Sequence, residues 1–418
     1  MANKVSPARG MRDILPVDKE KRERVLGTIR KTYKKYGYNE IETPALEPLT
    51  RLRSNQGGEN ESMLFTILRR GLDPESEVRV SEAADLGLRY DLTLPLTRYY
   101  ATHHGELPGV FRALQTGPVW RAERPQKGRF RQFTQCDIDI LGEAGIVAEI
   151  DLITTTLAAF TELGLGEKIT VVVNDRRVLH DILAAAGVAA DCSGAALIAL
   201  DKIDKIAASG VAAELVEEAK MTQHGANDLV KALSAARGAS DEALDSGEIS
   251  VGERVVSLRD LPEIVQRVRD ARPDARLTLD PMLVRGMGYY TGPIFEVKHD
   301  DLGISVAGGG RYDGVVGKWL GTEVPACGFS IGFERIIDLV EDDVYDTHRA
   351  AVLYRDETDI SELLQQRDSL VNTGFNVGLV PAPRKLKGTF MDSLAEQGYT
   401  HVVKWFPDTG FAQPRELG

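Results

Sequence analysis

The residues best suited to chemistry lie between positions 111 and 142, where the sequence predicts two β-strands joined by a basic turn at 125–128. Side chains alternate between the two faces of a strand. One face of the second strand therefore carries a mixed polar set: Arg131, Phe133, Gln135, Asp137 and Asp139. Arg121 and Glu123 share a face of the first strand. Acids, an amide and arginines beside one aromatic ring would suit a nucleotide and a zwitterion, although an ordinary solvated hairpin is the alternative.

The other face of the second strand is mainly apolar and is expected to contact a core. Its residues are Phe130, Thr134, Cys136, Ile138 and Ile140. Around this hairpin the sequence predicts an amphipathic helix over 18–36, a strand over 38–43 and a helix over 144–163. A buried strand over 169–173 completes the elements expected to position the polar face.

Other segments could also hold a ligand. A predicted strand over 88–92 contains Asp91 near its end, and Thr93 could cap the helix that follows. An acid in this position is as often a simple helix cap as a binding group. Three consecutive glycines at 308–310 would let the backbone approach a ligand closely. A strand-to-helix junction places Arg335 in a first helical turn, where a cation opposes the helix dipole unless an anion or an acidic side chain compensates.

Composition sets limits on the class of protein. The chain has 418 residues, enough for two or three domains, and its net charge is −12. That sign argues against a protein that coats nucleic acid, but a local basic patch could still bind RNA in a salt-dependent way. The three cysteines lie far apart and form no CxxC pair, which argues against a disulfide framework and against a zinc site. With no apolar run of about 20 residues and no signal peptide, we expect a cytoplasmic protein without a membrane span.

The second half of the chain contains two segments of different character. Residues 175–274 are rich in Ala, Glu, Asp and Val with few aromatics, which predicts a mostly helical insertion. From 343 to 418, strands alternate with helices, which predicts a small α/β domain with a parallel sheet. Its basic cluster, Arg384, Lys385 and Lys387, is as often a solvated loop as a binding site.

Several of these stretches resemble histidyl-tRNA synthetases. The string Arg-Pro-Gln-Lys-Gly-Arg-Phe-Arg-Gln-Phe at 124–133 is the most specific, and Arg121 with Glu123 resembles motif 2 of class II aminoacyl-tRNA synthetases. Three further strings resemble the same family: Leu-Arg-Tyr-Asp-Leu-Thr-Leu-Pro at 88–95, Leu-Val-Arg-Gly-Met-Gly-Tyr-Tyr-Thr-Gly at 283–292 and Ala-Gly-Gly-Gly-Arg-Tyr-Asp-Gly at 307–314. The first helix and strand resemble motif 1, and the segment around Arg335 resembles motif 3.

The resemblance implies the class II synthetase fold, an α+β catalytic core on an antiparallel sheet. Residues 1–174 and 275–342 would form this core, and the helical insertion at 175–274 would close over the acceptor end of the tRNA. Residues 343–418 would form a shortened α/β domain similar to an anticodon-binding domain. Motif 1 implies a homodimer. The chain departs from the family at Gly288, where Asp is usual.

The resemblance also implies roles for individual residues. Arg121 and Arg285 would act in catalysis by holding the α-phosphate of ATP. The histidine pocket would contain Asp91, Thr93, Gln135, Asp139, Tyr289, Tyr290 and Tyr312. Within it, Asp91 and Gln135 would hold the ammonium group, and Asp139 and Tyr290 the imidazole. The ATP site would contain Arg121, Glu123, Arg129, Phe133 and Arg335. Mg²⁺ would bridge phosphate oxygens, with no protein ligand assigned.

The implied activity is histidine–tRNA ligation: ATP and histidine give histidyl-adenylate and pyrophosphate, and histidine then passes to tRNA(His). Two alternatives stay open. A catalytically silent paralogue that senses histidine as a regulatory subunit would share the core but lose the ATP arginines and the tail domain. A synthetase for another amino acid would fit the tail but not the tyrosine pair or Gln135.

Overall fold

The computed structural model describes residues 5–53, 63–72, 77–125, 130–203, 205–285, 289–341, 348–406 and 409–417. The chain forms two compact units. The first contains Met1–Arg12 and Val25–Val340, and the second contains Asp13–Arg24 and Glu341–Gly418. In the described part of the chain, no helix is both long and apolar enough to cross a lipid bilayer.

The helices are distributed along the whole chain. They are α1 (Pro16–Lys35), α2 (Leu49–Leu52), α3 (Val80–Ala83), α4 (Thr93–His103), α5 (Val147–Glu162), α6 (Arg176–Ala185), α7 (Ser193–Leu200), α8 (Ala208–Glu218), α9 (Gln223–Gly238), α10 (Ser240–Ser246), α11 (Leu261–Ala271), α12 (Asp313–Leu320), α13 (Phe333–Ile336), α14 (Ile360–Asn372) and α15 (Gly388–Glu396).

The strands belong to one large sheet and several smaller ones. They are β1 (Asn39–Glu40), β2 (Leu46–Pro48), β3 (Thr66–Leu68), β4 (Ala84–Leu88), β5 (Phe111–Trp120), β6 (Gln132–Leu141), β7 (Ile169–Asp175), β8 (Glu248–Val251), β9 (Arg254–Ser257), β10 (Leu277–Leu279), β11 (Pro293–His299), β12 (Ser305–Arg311), β13 (Ala326–Gly332), β14 (Arg349–Tyr354), β15 (Asn376–Pro381), β16 (His401–Phe406), β17 (Gly410–Phe411) and β18 (Arg415–Glu416).

An eight-stranded sheet organises the first unit, with the order β1-β5-β6-β13-β12-β11-β7-β10. The six central strands pair antiparallel, and short parallel strands close both edges. This arrangement confirms the predicted α+β core on an antiparallel sheet. Because β13 inserts beside β6, segments that are distant in sequence come to lie on adjacent strands.

One face of this sheet packs on α1 and α5 in the main hydrophobic core. The predicted alternation along β6 is confirmed at its centre, where Cys136, Ile138 and Ile140 are fully buried in that core. Phe130 does not join them: it precedes the strand, and its ring lies 4.0 Å from the Arg12 guanidinium. The opposite face of β6 is left for polar side chains.

Several element ends differ from the sequence prediction. Helix α1 begins at Pro16, a residue suited to the first helical turn. Strand β5 ends at Trp120, so Arg121 and Glu123 lie in the following loop rather than on the strand. Strand β4 ends at Leu88, where a strand over 88–92 was predicted to begin. Beyond the two strand ends the backbone finds tertiary partners: Arg121 N–H donates to the Arg131 carbonyl and Arg89 N–H to the Ala45 carbonyl.

The segment 175–274 is mostly helical, as predicted, and contains α6 to α11. It also contains a two-stranded hairpin, β8 with β9, that the composition did not reveal. Its buried apolar residues continue the main hydrophobic core without a break. The predicted boundaries of a separate insertion domain stay a prediction.

The second unit has the predicted alternation of strands and helices. Strands β15, β14 and β16 are parallel, as predicted, and two small apolar cores lie against this sheet. After β16, the short strands β17 and β18 pair antiparallel with it. The tail after Phe406 therefore adds two short strands beside β16.

A buried ion pair ties the glycine-rich strand β12 to helix α5. Arg311 donates to both carboxylate oxygens of Glu149, at 2.6 and 2.8 Å, and to the carbonyls of Glu143 and Gly145. Glu149 is 1% exposed. Burial alone would lower the pKa of Arg311, but the hydrogen bonds with Glu149 raise it above its ordinary value. The pair therefore stays charged and fixes the end of β12.

We expect Arg311→Ala to lower the free energy of unfolding by about 3–5 kcal/mol, because it leaves a buried carboxylate without its cation. Arg267→Ala is the control, since Arg267 pairs with Glu263 on an exposed helix face, and should cost less than about 0.5 kcal/mol. Urea unfolding followed by circular dichroism measures both. A loss below about 1 kcal/mol for Arg311→Ala would contradict this role.

Candidate active site

A small cavity of about 30 Å³ lies on the polar face of the large sheet, where β6, β13 and β12 run side by side. Its walls are formed by Thr93, Asp137, Asp139, Tyr289, Tyr290, Gly308, Tyr312, Gly328, Phe329 and Ser330. These residues come from the start of α4, from three neighbouring strands and from the segments before β11 and after β12. The fold therefore brings together polar groups from distant parts of the sequence.

Asp139 is one of two buried carboxylates in the cavity, with 3% of its surface exposed. The Tyr312 hydroxyl donates a hydrogen bond of 2.6 Å to its Oδ1. Gly328 lies opposite on β13, and a Cβ there would be 2.0 Å from the same oxygen. Only glycine leaves room for the carboxylate. Burial raises the pKa of Asp139 to about 7, although the Tyr312 hydrogen bond favours the charged form.

Asp137 is the second buried carboxylate, two residues earlier on the same face of β6. It accepts a hydrogen bond from the Ser330 hydroxyl, and Ser330 accepts one from Gln135 Nε2 at 3.1 Å. Burial, and then the nearby charge of Asp139, raise the pKa of Asp137 well above its ordinary value. Gln135 Oε1 is buried and accepts no hydrogen bond from the described residues. A ligand that brings N–H donors and positive charge would satisfy both groups.

Three tyrosines form the aromatic wall of the cavity. The Tyr289 ring lies edge-on to Tyr290, with centroids 5.1 Å apart, and stacks on Tyr312 at 5.3 Å. Burial raises the pKa of each hydroxyl, so all three stay protonated. The Tyr289 hydroxyl is buried near Thr93 without a well-formed hydrogen bond to the described residues. This wall suits a flat, polar ring.

Asp91 lies just before α4 and caps it. Its Oδ1 accepts the Leu94 backbone N–H at 3.0 Å. The prediction that Thr93 caps this helix is wrong, because Thr93 is its first residue and the Asp91 carboxylate reaches the exposed N–H groups. Desolvation raises the pKa of Asp91, while the Leu94 N–H and the charge of Arg121 lower it. A capping carboxylate still has lone pairs free to accept a ligand's donors.

Arg121 is held at the cavity's edge by the backbone. Its Nε donates to the Tyr90 carbonyl at 3.0 Å, and its guanidinium lies 5.0 Å from the Phe133 ring centroid. Its charge lowers the pKa of both Asp91 and Asp137, which places it within electrostatic reach of the buried acids. Arg121 therefore links the carboxylates to the aromatic surface of Phe133.

Arg285 and Arg335 meet at a single residue, Ser305, at the start of β12. Arg285 donates to the Ser305 hydroxyl at 2.5 Å and to the Glu296 carboxylate, and Arg335 donates to the Ser305 carbonyl at 2.5 Å. The Arg285 guanidinium also lies on Gly308, where a Cβ would be 2.3 Å from its Nη1. Gly308 thus gives the Arg285 guanidinium a flat surface. Arg335 lies in the short helix α13 and is exposed.

The structure assembles most of the predicted site residues, but not all. Glu123 lies in the loop after β5 and is not among the residues that line the cavity; its carbonyl accepts from Arg131 Nε at 2.9 Å. Arg129 and Gly288 lie outside the described residues. Sequence reasoning assigned no role to Asp137 or Ser330. Strand alternation had placed Asp137 on the polar face, whereas Ser330 carried no local signal.

The site combines two kinds of chemistry. The buried carboxylates and the amide oxygen of Gln135 can hold a small cationic or zwitterionic molecule. Arg121, Arg285 and Arg335, which lie near the ends of the central strands, can hold a polyanion. Among the described residues, no group of three or more His, Cys, Asp or Glu side chains is arranged to hold a metal ion.

The titration of Asp139 gives a test of this geometry. Between its ordinary pKa of 3.8 and about 7, folded Asp139 keeps a proton that the unfolded chain loses, so it makes stability fall as pH rises through this window. We expect Tyr312→Phe, which removes the donor to the charged form, to move the upper limit of the window above pH 7. Melting temperatures from pH 5 to 8 measure this effect, with Asp139→Asn as the control that lacks it. Identical pH profiles for wild type and Asp139→Asn would refute the assignment.

Comparison with known proteins shows relatives over almost the whole chain. The family model described as histidyl-tRNA synthetase matches residues 10–336. A curated relative from Leifsonia xyli subsp. xyli, a histidine–tRNA ligase, is 46% identical and the match covers 96% of this chain and 95% of the relative. A histidine–tRNA ligase from Porphyromonas gingivalis is 34% identical, with 92% of this chain and 88% of the relative covered.

Solved structures show the same relationship. A histidyl-tRNA synthetase from Nostoc sp. PCC 7120 aligns with a TM-score of 0.76 and 25% identity, covering 98% of this chain and 93% of that one. A Bacillus halodurans C protein, described as an ATP phosphoribosyltransferase regulatory subunit/histidyl-tRNA synthetase, aligns with a TM-score of 0.74 over 96% of this chain and 98% of that one; at 21% identity it shows the shared fold alone. The match of the family model over three quarters of the chain, together with the 46% identical relative, shows that the chain belongs to the histidyl-tRNA synthetase family.

Proposed function

We propose that this chain is a histidine–tRNA ligase, which activates histidine with ATP and transfers it to tRNA(His). The observation that carries the proposal is the small cavity with two buried carboxylates, Asp137 and Asp139, which opens beside Arg121 and Arg285. A pocket for a cationic amino acid therefore adjoins a site for phosphate. Membership of the family supports this pairing.

The first step joins the two ligands. A carboxylate oxygen of histidine attacks the α-phosphorus of ATP, the bond to the β-phosphate oxygen breaks, and pyrophosphate leaves with the electron pair. Catalysis of such a displacement consists mainly of positioning and of neutralising charge. Arg285 would hold the α-phosphate from one side, in place of part of its contact with Glu296, and Arg121 from the other. Both guanidiniums lie near the polar face of the sheet.

Recognition of histidine would depend on the buried acceptors. Asp139 and Tyr290 would hydrogen-bond the imidazole, which needs a partner at each ring nitrogen. Asp91 and the free Gln135 Oε1 would accept from the ammonium group. Thr93, Tyr289 and Tyr312 would complete the pocket. A site whose buried acceptors require donors strongly rejects amino acids that lack them.

The nucleotide would lie along the loop after β5. Phe133 would stack on the adenine, Glu123 would contact the adenine or ribose, and Arg129 and Arg335 would contact the phosphates. Arg335 already contacts the start of β12, where it donates to the Ser305 carbonyl. Mg²⁺ would enter with ATP as part of the substrate and would neutralise part of the phosphate charge.

In the second step the terminal ribose hydroxyl of the tRNA attacks the acyl carbon, and AMP leaves. We propose that residues 175–274 form the functional insertion over the acceptor end, and that residues 343–418, which lie within the second unit, act as a short anticodon-binding domain. We also propose a homodimer formed through the motif 1 elements and a cytoplasmic location, where tRNA and ATP meet. The negative total charge suggests a confined, salt-sensitive RNA contact.

The alternatives have less support. A silent regulatory paralogue would have little use for Arg121, Arg285 and Arg335, all present here, or for the α/β second unit. The curated relatives named above are ligases matched over nearly their full length. A synthetase for another amino acid would not need two buried carboxylates facing a tyrosine wall.

Pyrophosphate exchange tests the proposed activity. We expect purified protein with ATP, Mg²⁺ and labelled pyrophosphate to exchange label with histidine only, because the buried acceptors require its donors. Threonine and proline serve as control amino acids. Exchange with none of the three amino acids would indicate the silent paralogue, and exchange with threonine or proline would indicate another synthetase.

Arg285→Ala tests the phosphate clamp. We expect histidyl-adenylate formation to fall by at least about 100-fold, because one group that neutralises charge in the transition state is lost. Histidine affinity, measured by calorimetry, should stay within about twofold. Arg267→Ala, which removes an exposed arginine of α11, is the charge-matched control and should exchange normally. Normal pyrophosphate exchange by Arg285→Ala would refute the role of this residue.

A further inference from the structure

Residues 8–12, the N-terminal strap, form a turn closed by a hydrogen bond from Met11 N–H to the Ala8 carbonyl. Gly10 adopts a positive φ of +83°, and its carbonyl accepts the Arg131 backbone N–H at 2.7 Å. A Cβ at Gly10 would lie 2.8 Å from side-chain carbons of both Pro125 and Arg131. The strap therefore packs against the β5–β6 loop on both sides of positions 126–129.

Arg12 extends these contacts to a second segment. Its guanidinium lies 4.0 Å from the Phe130 ring centroid, and its Nη2 donates to Glu334 Oε2 at 2.5 Å. Arg131, which the strap holds by its backbone, donates from Nε to the Glu123 carbonyl. One short segment thus contacts the loop that carries Glu123 and the helix α13 that carries Arg335.

Glu334, on α13, contacts both Arg12 and strand β6. Pairing between β6 and β13 ends at Gln135 and Gly332, and the next β6 residue, Thr134, donates its backbone N–H to Glu334 Oε1 at 3.2 Å. The Glu334 side chain is only 8% exposed. One carboxylate oxygen therefore continues the sheet pairing, and the other is held by Arg12.

We infer that Arg12 is a positioning residue of the ATP site, which holds the β5–β6 loop and the start of α13 in a fixed relation through Phe130 and Glu334. The inference rests on the proposed function for the identity of the nucleotide. Arg12 itself contacts no residue of the histidine cavity among the described contacts. Its loss should therefore affect ATP and not histidine.

The test compares Arg12→Ala and Arg12→Lys with Arg9→Ala, an exposed arginine of the same strap, as the matched control. Calorimetry measures the affinity for a non-hydrolysable ATP analogue and, separately, for histidine. We expect Arg12→Ala to weaken ATP binding about tenfold and to raise the KM for ATP in pyrophosphate exchange similarly, since small misplacements of binding groups are costly. Histidine affinity, kcat and the melting temperature should change little. Arg12→Lys should recover part of the loss, because it keeps the charge but not the planar fork.

Two further variants separate positioning from general stability. Gly10→Ala, which disturbs the strap through its backbone, should weaken ATP binding in the same direction. Arg12→Ala combined with Glu334→Gln should weaken it by less than the product of the two single effects, because both act through one contact. Unchanged ATP affinity in Arg12→Ala and Gly10→Ala, or an equal loss of ATP and histidine affinity, would overturn the inference. If the wild type binds the ATP analogue but does not activate histidine, the proposed function fails while the inference is still decided by ATP affinity.

Discussion

The site depends on one constraint, the burial of two carboxylates two residues apart on the same face of one central strand. Asp137 and Asp139 are each 3% exposed, burial raises the pKa of both, and the charge of Asp139 raises the pKa of Asp137 further. The Ser330 hydroxyl donates to Asp137 and the Tyr312 hydroxyl donates to Asp139, and the nearby guanidinium of Arg121 lowers the pKa of Asp137. A cationic ligand would complete the compensation. Burying two carboxylates costs free energy, and the same buried negative charge makes the pocket selective for a cationic ligand.

Close backbone approach is the second requirement, and the glycines of β12 and β13 meet it. Gly328 leaves the volume that the Asp139 carboxylate fills, and Gly308 leaves the surface on which the Arg285 guanidinium lies. A glycine-rich strand is weak by itself, because it has few side chains to pack. The Glu149–Arg311 pair fixes the end of this strand to a buried helix, and Val306 and Ala307 anchor its start in the main hydrophobic core.

The phosphate side of the site is assembled differently from the amino-acid side. The cavity is built on central strands, whereas the proposed ATP residues lie on a loop and at the ends of elements, where regular pairing stops. Residues in such places need contacts from other segments to fix them. Ser305 accepts hydrogen bonds from Arg285 and Arg335, and the N-terminal strap contacts the loop after β5. This division would suit the proposed function, in which a pocket on central strands binds histidine beside a site that admits the larger nucleotide.

The sequence alone determined which residues share a face of β6, because alternation is a property of any extended backbone. It also predicted the strand and helix order of the second unit and, through family resemblance, five residues that line the cavity: Thr93, Asp139, Tyr289, Tyr290 and Tyr312. Only the tertiary structure decided that Asp137 belongs to the site, since its partner Ser330 lies 193 positions away and meets it through the β6–β13 register. It also decided that Asp91, rather than Thr93, caps α4. Local periodicity belongs to a single segment, whereas pairing across the sheet depends on how the whole chain packs.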